Sequence, residues 1–278
     1  MARTWLITGA SRGLGFHIAQ SALAVGDNVI ATGRSSLAVA EAFGDCGDRL
    51  LALPLDVTHQ EQVQQVVNKA IEHFASIDVL VNNAGFGQLG PFEENTSAAA
   101  HEQFATNVFG LFDMCRAVLP VMRERKQGHV FNIASIAGLA GMGGAALYCS
   151  SKFAVAGFSE ALAQEVAGFG IKVTSVAPGA FRTDFLDASS ARFGNNQLID
   201  YAEFSAKVKA SSANGNHAQP GDPAKLGAAI VQLALDPQAP VHFIVGSDAL
   251  NMASNRLTTL QQEIDKWRQL SASTDGAS

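Results

Sequence analysis

Tyr148 and Lys152 stand four residues apart in Tyr-Cys-Ser-Ser-Lys, inside an apolar segment spanning residues 147–162. On a helix that spacing puts the phenol and the ammonium on one face, about a turn apart. A free tyrosine, with a pKa of about 10, exchanges protons poorly at neutral pH, but a cation within about 4–6 Å favours the phenolate and lowers that pKa. Such a pair can pass a proton to or from a substrate oxygen. The same spacing also describes a half-buried aromatic beside a solvated charge, so the surrounding elements have to decide between the two.

Those elements alternate between strand and helix. Residues 4–8 read as a short apolar strand that enters Gly9-Ala10-Ser11-Arg12-Gly13-Leu14-Gly15, and a helical pattern follows through Phe16, Ile18, Ala19, Ala22 and Leu23. A strand, a glycine loop and a helix in that order make a phosphate cradle, because glycines let the backbone approach and the helix N-terminus offers N–H groups and a positive dipole end. The spacing is Gly-x-x-x-Gly-x-Gly; a glycine turn without a ligand is the plain alternative. A second strand, residues 28–32, ends in Gly33 and Arg34, where an acid would accept hydrogen bonds from an NAD ribose. With no acid there, and with Arg12 and Arg34 converging, a 2′-phosphate is favoured and the cofactor expected is NADP(H) over NAD(H); two ordinary surface charges are the alternative.

A third strand, residues 50–55, closes on Asp56 and Val57, and Val63, Val66, Val67, Ala70, Ile71 and Phe74 keep helical spacing. Residues 78–81 form a fourth, followed by Asn82-Asn83-Ala84-Gly85, whose amides either brace loops or contact an adenine ribose. A long helix through Phe104 to Val118 carries Asn107 on an apolar stripe, read from the residue as a satisfied core amide ahead of a water-holding site. Residues 129–134 form a fifth strand with Ser135 at its carboxyl end, and residues 172–177 a sixth before Pro178-Gly179. Residues 181–215, with Phe181, Phe185, Phe193, Tyr201 and Phe204, are long enough to form a helical lid over an apolar pocket. A helix at 224–235 and a seventh strand at 241–245 follow. The last helix, residues 248–270, carries Leu250, Ala253, Leu257, Leu260, Ile264 and Trp267 in one narrow seam, read as packing on its own domain ahead of a subunit contact, and residues 271–278 are expected to be disordered. The fold implied is α/β: one domain over residues 1–278, a doubly wound parallel seven-stranded sheet of Rossmann type with a helical substrate lid.

Composition narrows the partners. With 47% hydrophobic residues over 278 positions the chain can bury a large core, and a formal charge of −6 argues against nucleic acid or anionic membranes. The uncharged stretch 130–151 is long enough to suggest a membrane span, but Gly138, Gly141, Gly143, Gly144, Asn132 and Ser135 break it into a strand, a loop and a helix start. Cys46, Cys115 and Cys149 are odd in number and widely spaced, which suggests neither disulfides nor a metal site and fits a reduced cytoplasmic setting.

Together, Thr8 to Gly15, Asn82-Asn83-Ala84-Gly85, Asn107, Ser135, Tyr148-x-x-x-Lys152 and Pro178-Gly179 resemble the short-chain dehydrogenase/reductase family, and the segment from Pro178 to Phe185 with the lid looks like its 17β-hydroxysteroid-dehydrogenase-like branch. The resemblance implies Tyr148 as acid/base, Lys152 as the group that lowers its pKa and holds the nicotinamide ribose, Ser135 as the hydrogen-bond partner of the substrate oxygen, and Asn107 as holder of a water linking Lys152 to solvent. It also implies Gly9, Ser11, Arg12, Gly13, Leu14 and Gly15 at the pyrophosphate turn, Asp56 and Val57 at the adenine, Asn82 to Gly85 nearby, and Pro178, Gly179 and Thr183 at the nicotinamide end. Ala134 stands where the family often has a second serine, a departure that leaves the chemistry intact. The activity implied is interconversion of a hydrophobic ketone or aldehyde with its alcohol; a 3-oxoacyl-thioester reductase or a non-catalytic NADP(H)-sensing protein are the alternatives. A homodimer or homotetramer is expected from the resemblance alone.

Overall fold

In the computed structural model, which describes residues 2–276, apolar runs become strands covered on both faces. The strands are β1 (Thr4–Ile7), β2 (Asn28–Gly33), β3 (Leu50–Pro54), β4 (Val79–Asn82), β5 (Gly87–Leu89), β6 (Gly128–Ile133), β7 (Ile171–Pro178), β8 (Ala191–Phe193) and β9 (His242–Val245). Seven of them form one parallel sheet in the order β3-β2-β1-β4-β6-β7-β9. The order reverses direction between β1 and β4, and a crevice opens there at the strands' carboxyl ends.

The helices are α1 (Gly13–Ala24), α2 (Ser36–Phe43), α3 (Gln60–Phe74), α4 (Ser97–Phe104), α5 (Gly110–Arg125), α6 (Ala146–Val166), α7 (Ala202–Gly215), α8 (Pro223–Leu235) and α9 (Ser247–Ala272). Their ends follow local chemistry: Ser35 and Thr96 cap α2 and α4 through their hydroxyls, and Asp222 caps α8 with Pro223 in its first turn. One sheet face packs on α3, α5 and α6 through residues such as Val67, Leu80, Met114 and Val155, and the other on α1 and α8 through Trp5, Ile18, Leu226 and Ile230. Leu80 is fully buried. Leu80→Ala should therefore cost about 2–5 kcal/mol in urea unfolding, read as a lower midpoint at constant slope.

The sheet expected from the sequence is present, with boundaries moved by a residue or two, and residues 130–151 fold as a strand, a short 3-10 turn and the start of α6. The continuous helical run Ser97–Arg125 is long and apolar enough by length and composition to cross a membrane, and its inner face lies in the core through Met114, Cys115, Val118 and Met122. It is not one regular helix. A π-helical segment, Ala105–Phe109, joins α4 to α5 and carries Asn107.

Three features depart from the sequence reading. The lid is only partly helical: before α7 it contributes β8, which pairs in parallel with β5 outside the main sheet, Gly87 opposite Ala191. Neither strand is longer than three residues, too short for a period-two signal. The buried Glu94 anchors the lid by accepting from Ser205 Oγ at 2.7 Å and from the Leu198 amide at 3.3 Å. The second departure is α9: of the seam expected to pack inward, Ala253 is buried but Leu257, Ile264 and Trp267 are 66%, 47% and 52% exposed. The third is that α9 runs to Ala272, so the expected disorder from residue 271 is not what is seen there; residues 277–278 lie outside the described residues.

Candidate active site

A glycine loop leaves β1 with Gly9 at φ 64° and Gly13 at φ 60°, left-handed conformations that favour glycine. A Cβ at Gly15 would meet Asn83 Nδ2 and the Gly9 carbonyl at 2.5 Å, so this glycine serves the loop's own packing. Asn83 fastens that packing, its Nδ2 donating to the carbonyls of Thr8 and Gly9 at 2.9 Å each. Arg12, at the N-cap of α1, places no side-chain cap on the helix, which leaves the first turn's N–H groups and dipole aimed into the crevice. The residues present therefore fit a dinucleotide's pyrophosphate.

The crevice widens into a cleft of about 740 Å³. Gly9, Ser11, Arg12, Gly13 and Leu14 line it, as do Arg34, Asp56, Val57, Asn83, Ala84, Gly85, Ser135, Tyr148, Lys152, Pro178, Gly179 and Thr183. Arg34 lies close enough to Asp56 for its charge, with hydrogen bonds from Thr58 and the charge of His59, to hold that carboxyl below the usual value against the opposing and largest effect of burial. Both arginines line the cleft: Arg12 Nη2 donates to Ser190 Oγ of the lid at 2.8 Å, and Arg34 follows the end of β2. Ser11 is beside β2, its Oγ 3.7 Å from where a Gly33 Cβ would be.

α6 delivers Tyr148 and Lys152 from one face, both buried. Lys152 Nζ donates to the Ile133 carbonyl at 2.7 Å and lies 5.8 Å from the centre of the Tyr148 ring. Burial pushes the phenol up to about 12, with hydrogen bonding to Ser135 pulling against it. The same cause drives the Lys152 ammonium down to about 8. Burial is the largest influence on both groups, so the phenol lies above its ordinary value, the direction opposite to that expected from the four-residue spacing. Phe185 of the lid packs on the Tyr148 ring at 5.5 Å between centroids.

Three predicted residues lie elsewhere. Asn82 is buried outside the cleft wall, donating to Cys115 Sγ and to Asn132 Oδ1 at 2.9 Å, and so braces β4 against β6. Asn107 is occupied as a core amide, its Oδ1 accepting from the Phe86 amide and its Nδ2 donating to the Phe86 carbonyl and to Ser151 Oγ. Gly15 too stands behind the wall, for the packing reason given above. Conversely, the sequence reading missed Phe86, Met142, Leu186, Gln219, Asp248 and Met252, which line the cleft from loops and the start of α9. Asp248 is tied in closely: its Oδ2 accepts from the Ala180 amide at 2.7 Å, and a Cβ on Gly179 would strike its carboxylate. Only the 181–215 aromatics carried a signal for this wall.

Comparisons with known proteins agree with this geometry. The short chain dehydrogenase family model matches residues 3–192. The chain is 36% identical over 274 residues to oxidoreductase BOA17 of Botryotinia fuckeliana, covering 98% of each, and 40% identical over 245 residues to a 3-ketodihydrosphingosine reductase of Bacteroides thetaiotaomicron, covering 87% of each. A crystal structure of a short-chain dehydrogenase from Streptomyces avermitilis superimposes with a TM-score of 0.90 at 39% identity, over 99% of this chain and 100% of that one. With a nucleotide cradle at the sheet's switch point, Ser135, Tyr148 and Lys152 along one wall, and relatives matched over nearly their whole length, this chain belongs to the short-chain dehydrogenase/reductase family of oxidoreductases.

Proposed function

We propose that this oxidoreductase interconverts a bulky hydrophobic ketone or aldehyde and its alcohol, using NADP(H), with Tyr148 as acid/base. The observation that carries the reading is the Tyr148 phenol, buried beside Ser135 at the junction between the glycine cradle and an apolar chamber walled by Phe86, Met142, Phe185 and Met252. A reduced nicotinamide, when bound, supplies hydride to the carbonyl carbon. Tyr148 donates its proton to the oxygen as negative charge develops there, and Ser135 stabilises that oxygen by a second hydrogen bond. Pro178, Gly179 and Thr183 border the reacting end, and lid residues such as Phe185 and Leu186 line the same cleft. Lys152, held by the Ile133 carbonyl, keeps a positive charge behind the phenol and offers its remaining N–H groups to a ribose. A 3-ketodihydrosphingosine reductase among the relatives supports a long apolar ketone as the substrate class.

The 3-oxoacyl-thioester reading wants free cations at the mouth of the cleft. Of the four lid cations, Arg192 is paired with Glu102 at 3.0 Å, Arg182 donates to the carbonyls of Gln219 and Pro220, and Lys207 is paired with Glu203, which leaves Lys209, 5.9 Å from the centre of the Phe193 ring, as a single cation there. A non-catalytic sensor has no use for a buried phenol beside a serine. The test is oxidation of NADPH and NADH against aliphatic, aromatic and steroid ketones and an acetoacetyl thioester; binding of NADPH with turnover of none of them would defeat the proposal.

The preference for NADP(H) is supported by Arg34 and the Ser11 hydroxyl beside the end of β2, a strand that closes on Gly33-Arg34 and not on an acid. Arg34→Asp should weaken NADPH about 10- to 100-fold, the loss of a charge-assisted hydrogen bond, and leave NADH nearly unchanged. Titration of the intrinsic fluorescence with each nucleotide measures this. An unaltered NADPH/NADH ratio would refute the assignment.

A further inference from the structure

The second half of α9 leaves the body of the protein. From residue 257 to 272 no side chain is buried, although this stretch holds Leu257, Leu260, Ile264, Trp267 and Leu270 at exposures from 39% to 66%. A helical stretch of this length is marginal in water by itself, since helices in proteins are stabilised chiefly by burying an apolar face. The apolar positions are not scattered. Leu250, Ala253, Leu257, Leu260, Ile264 and Trp267 recur at alternating intervals of three and four, the period of a coiled-coil seam rather than of a helix lying on a sheet.

We propose that this seam is a docking surface for a second copy of the same chain, the two α9 helices packing knobs into holes along Leu257, Leu260, Ile264 and Trp267. Leu257 and Ile264 occupy one set of core positions and Leu260 and Trp267 the other. The residues flanking the seam are complementary to themselves across a two-fold axis. In a parallel pair Glu263 faces Arg268 of the second copy, five residues on, and in an antiparallel pair Arg256 faces Glu263. Within one chain Glu263 and Arg268 are exposed and Arg256 is half-buried, and they find only each other or Asp265, Arg256 with Glu263 at 3.7 Å and Arg268 with Asp265 at 2.7 Å. A membrane surface is the weaker occupant. Interfacial helices carry Lys and Arg along the polar face, whereas this half of α9, entered through Arg256, mixes Lys266 and Arg268 with Glu263 and Asp265 and fills the rest of its polar face with Thr, Gln and Ser. Because Asp248 and Met252 at the start of the same helix line the cleft, the contact also steadies one of its walls.

The test is solution mass by light scattering for the full-length wild type, for Leu257→Glu/Ile264→Glu, and for a polar-face control, Thr258→Glu/Thr259→Glu. Both changed core positions are solvent-facing in the single chain, so the variant should keep its fold, checked by circular dichroism and NADPH binding. The expected result is a wild-type mass that is an even multiple of 29.1 kDa, halved by Leu257→Glu/Ile264→Glu and retained by the control. A monomeric wild type at tens of micromolar, or an unchanged mass in the seam variant, would overturn the proposal. So would sedimentation of the wild type with anionic phospholipid vesicles that the seam variant loses while its mass stays the same, since that assigns the seam to a bilayer.

Discussion

Tyr148→Phe should lower kcat for ketone reduction by about 10²- to 10⁴-fold, the range contributed by a positioned general acid, while NADPH affinity changes little. The substitution removes one hydroxyl from a ring whose packing against Phe185 and the apolar cluster of Ala137, Ala145 and Cys149 is retained. The phenol is raised to about 12 by burial, so it is protonated across the working range, and its loss removes the proton that must reach the developing alkoxide. Steady-state kinetics beside a nucleotide-binding titration separate the two effects. Turnover retained within a few-fold of the wild type would exclude Tyr148 as the acid.

Lys152→Met should have the next largest effect, about 10²-fold on kcat/KM, with a distinctive change in the pH profile. In the wild type the ammonium is pushed down to about 8 by burial. The sign follows: below about pH 8 the group is cationic and supports the reaction, and as pH rises through that value the charge is lost and kcat/KM for reduction falls. Methionine keeps most of the buried stem but carries no proton to lose, so the fall near pH 8 should vanish from the variant. It also leaves the Ile133 carbonyl without its 2.7 Å donor, and KM for NADPH should rise as well. A variant that keeps the wild-type fall would place that ionisation on another group.

The difference between these two residues as read along the chain and as folded is instructive. An interval of four on a helix brings phenol and ammonium to one side in any tertiary setting, so their pairing was legible. The direction of the tyrosine's pKa was not, because it depends on how much water each group loses when the sheet and lid close around it. Asn82 and Asn107 carry the same lesson. Both are polar residues in apolar surroundings, and which partner satisfies a buried amide is set by the Asn132 and Phe86 groups that distant segments bring up. Arg12 likewise stands in the right loop, yet Ser190, far along the chain, decides where its guanidinium points.

Sequence alone determined the seven parallel strands, the helices between them, the glycine cradle after β1 and the Tyr148–Lys152 pair, because each is written in local periodicity, in glycine's access to positive φ, or in a fixed helical interval. Only the tertiary structure decided the short β5–β8 pairing, the cleft wall supplied by Gln219, Asp248 and Met252, and the exposure of the α9 seam. These depend on where segments a hundred or more residues apart meet and on how far a helix extends past the body it starts from, and neither quantity is encoded in the spacing of neighbouring residues.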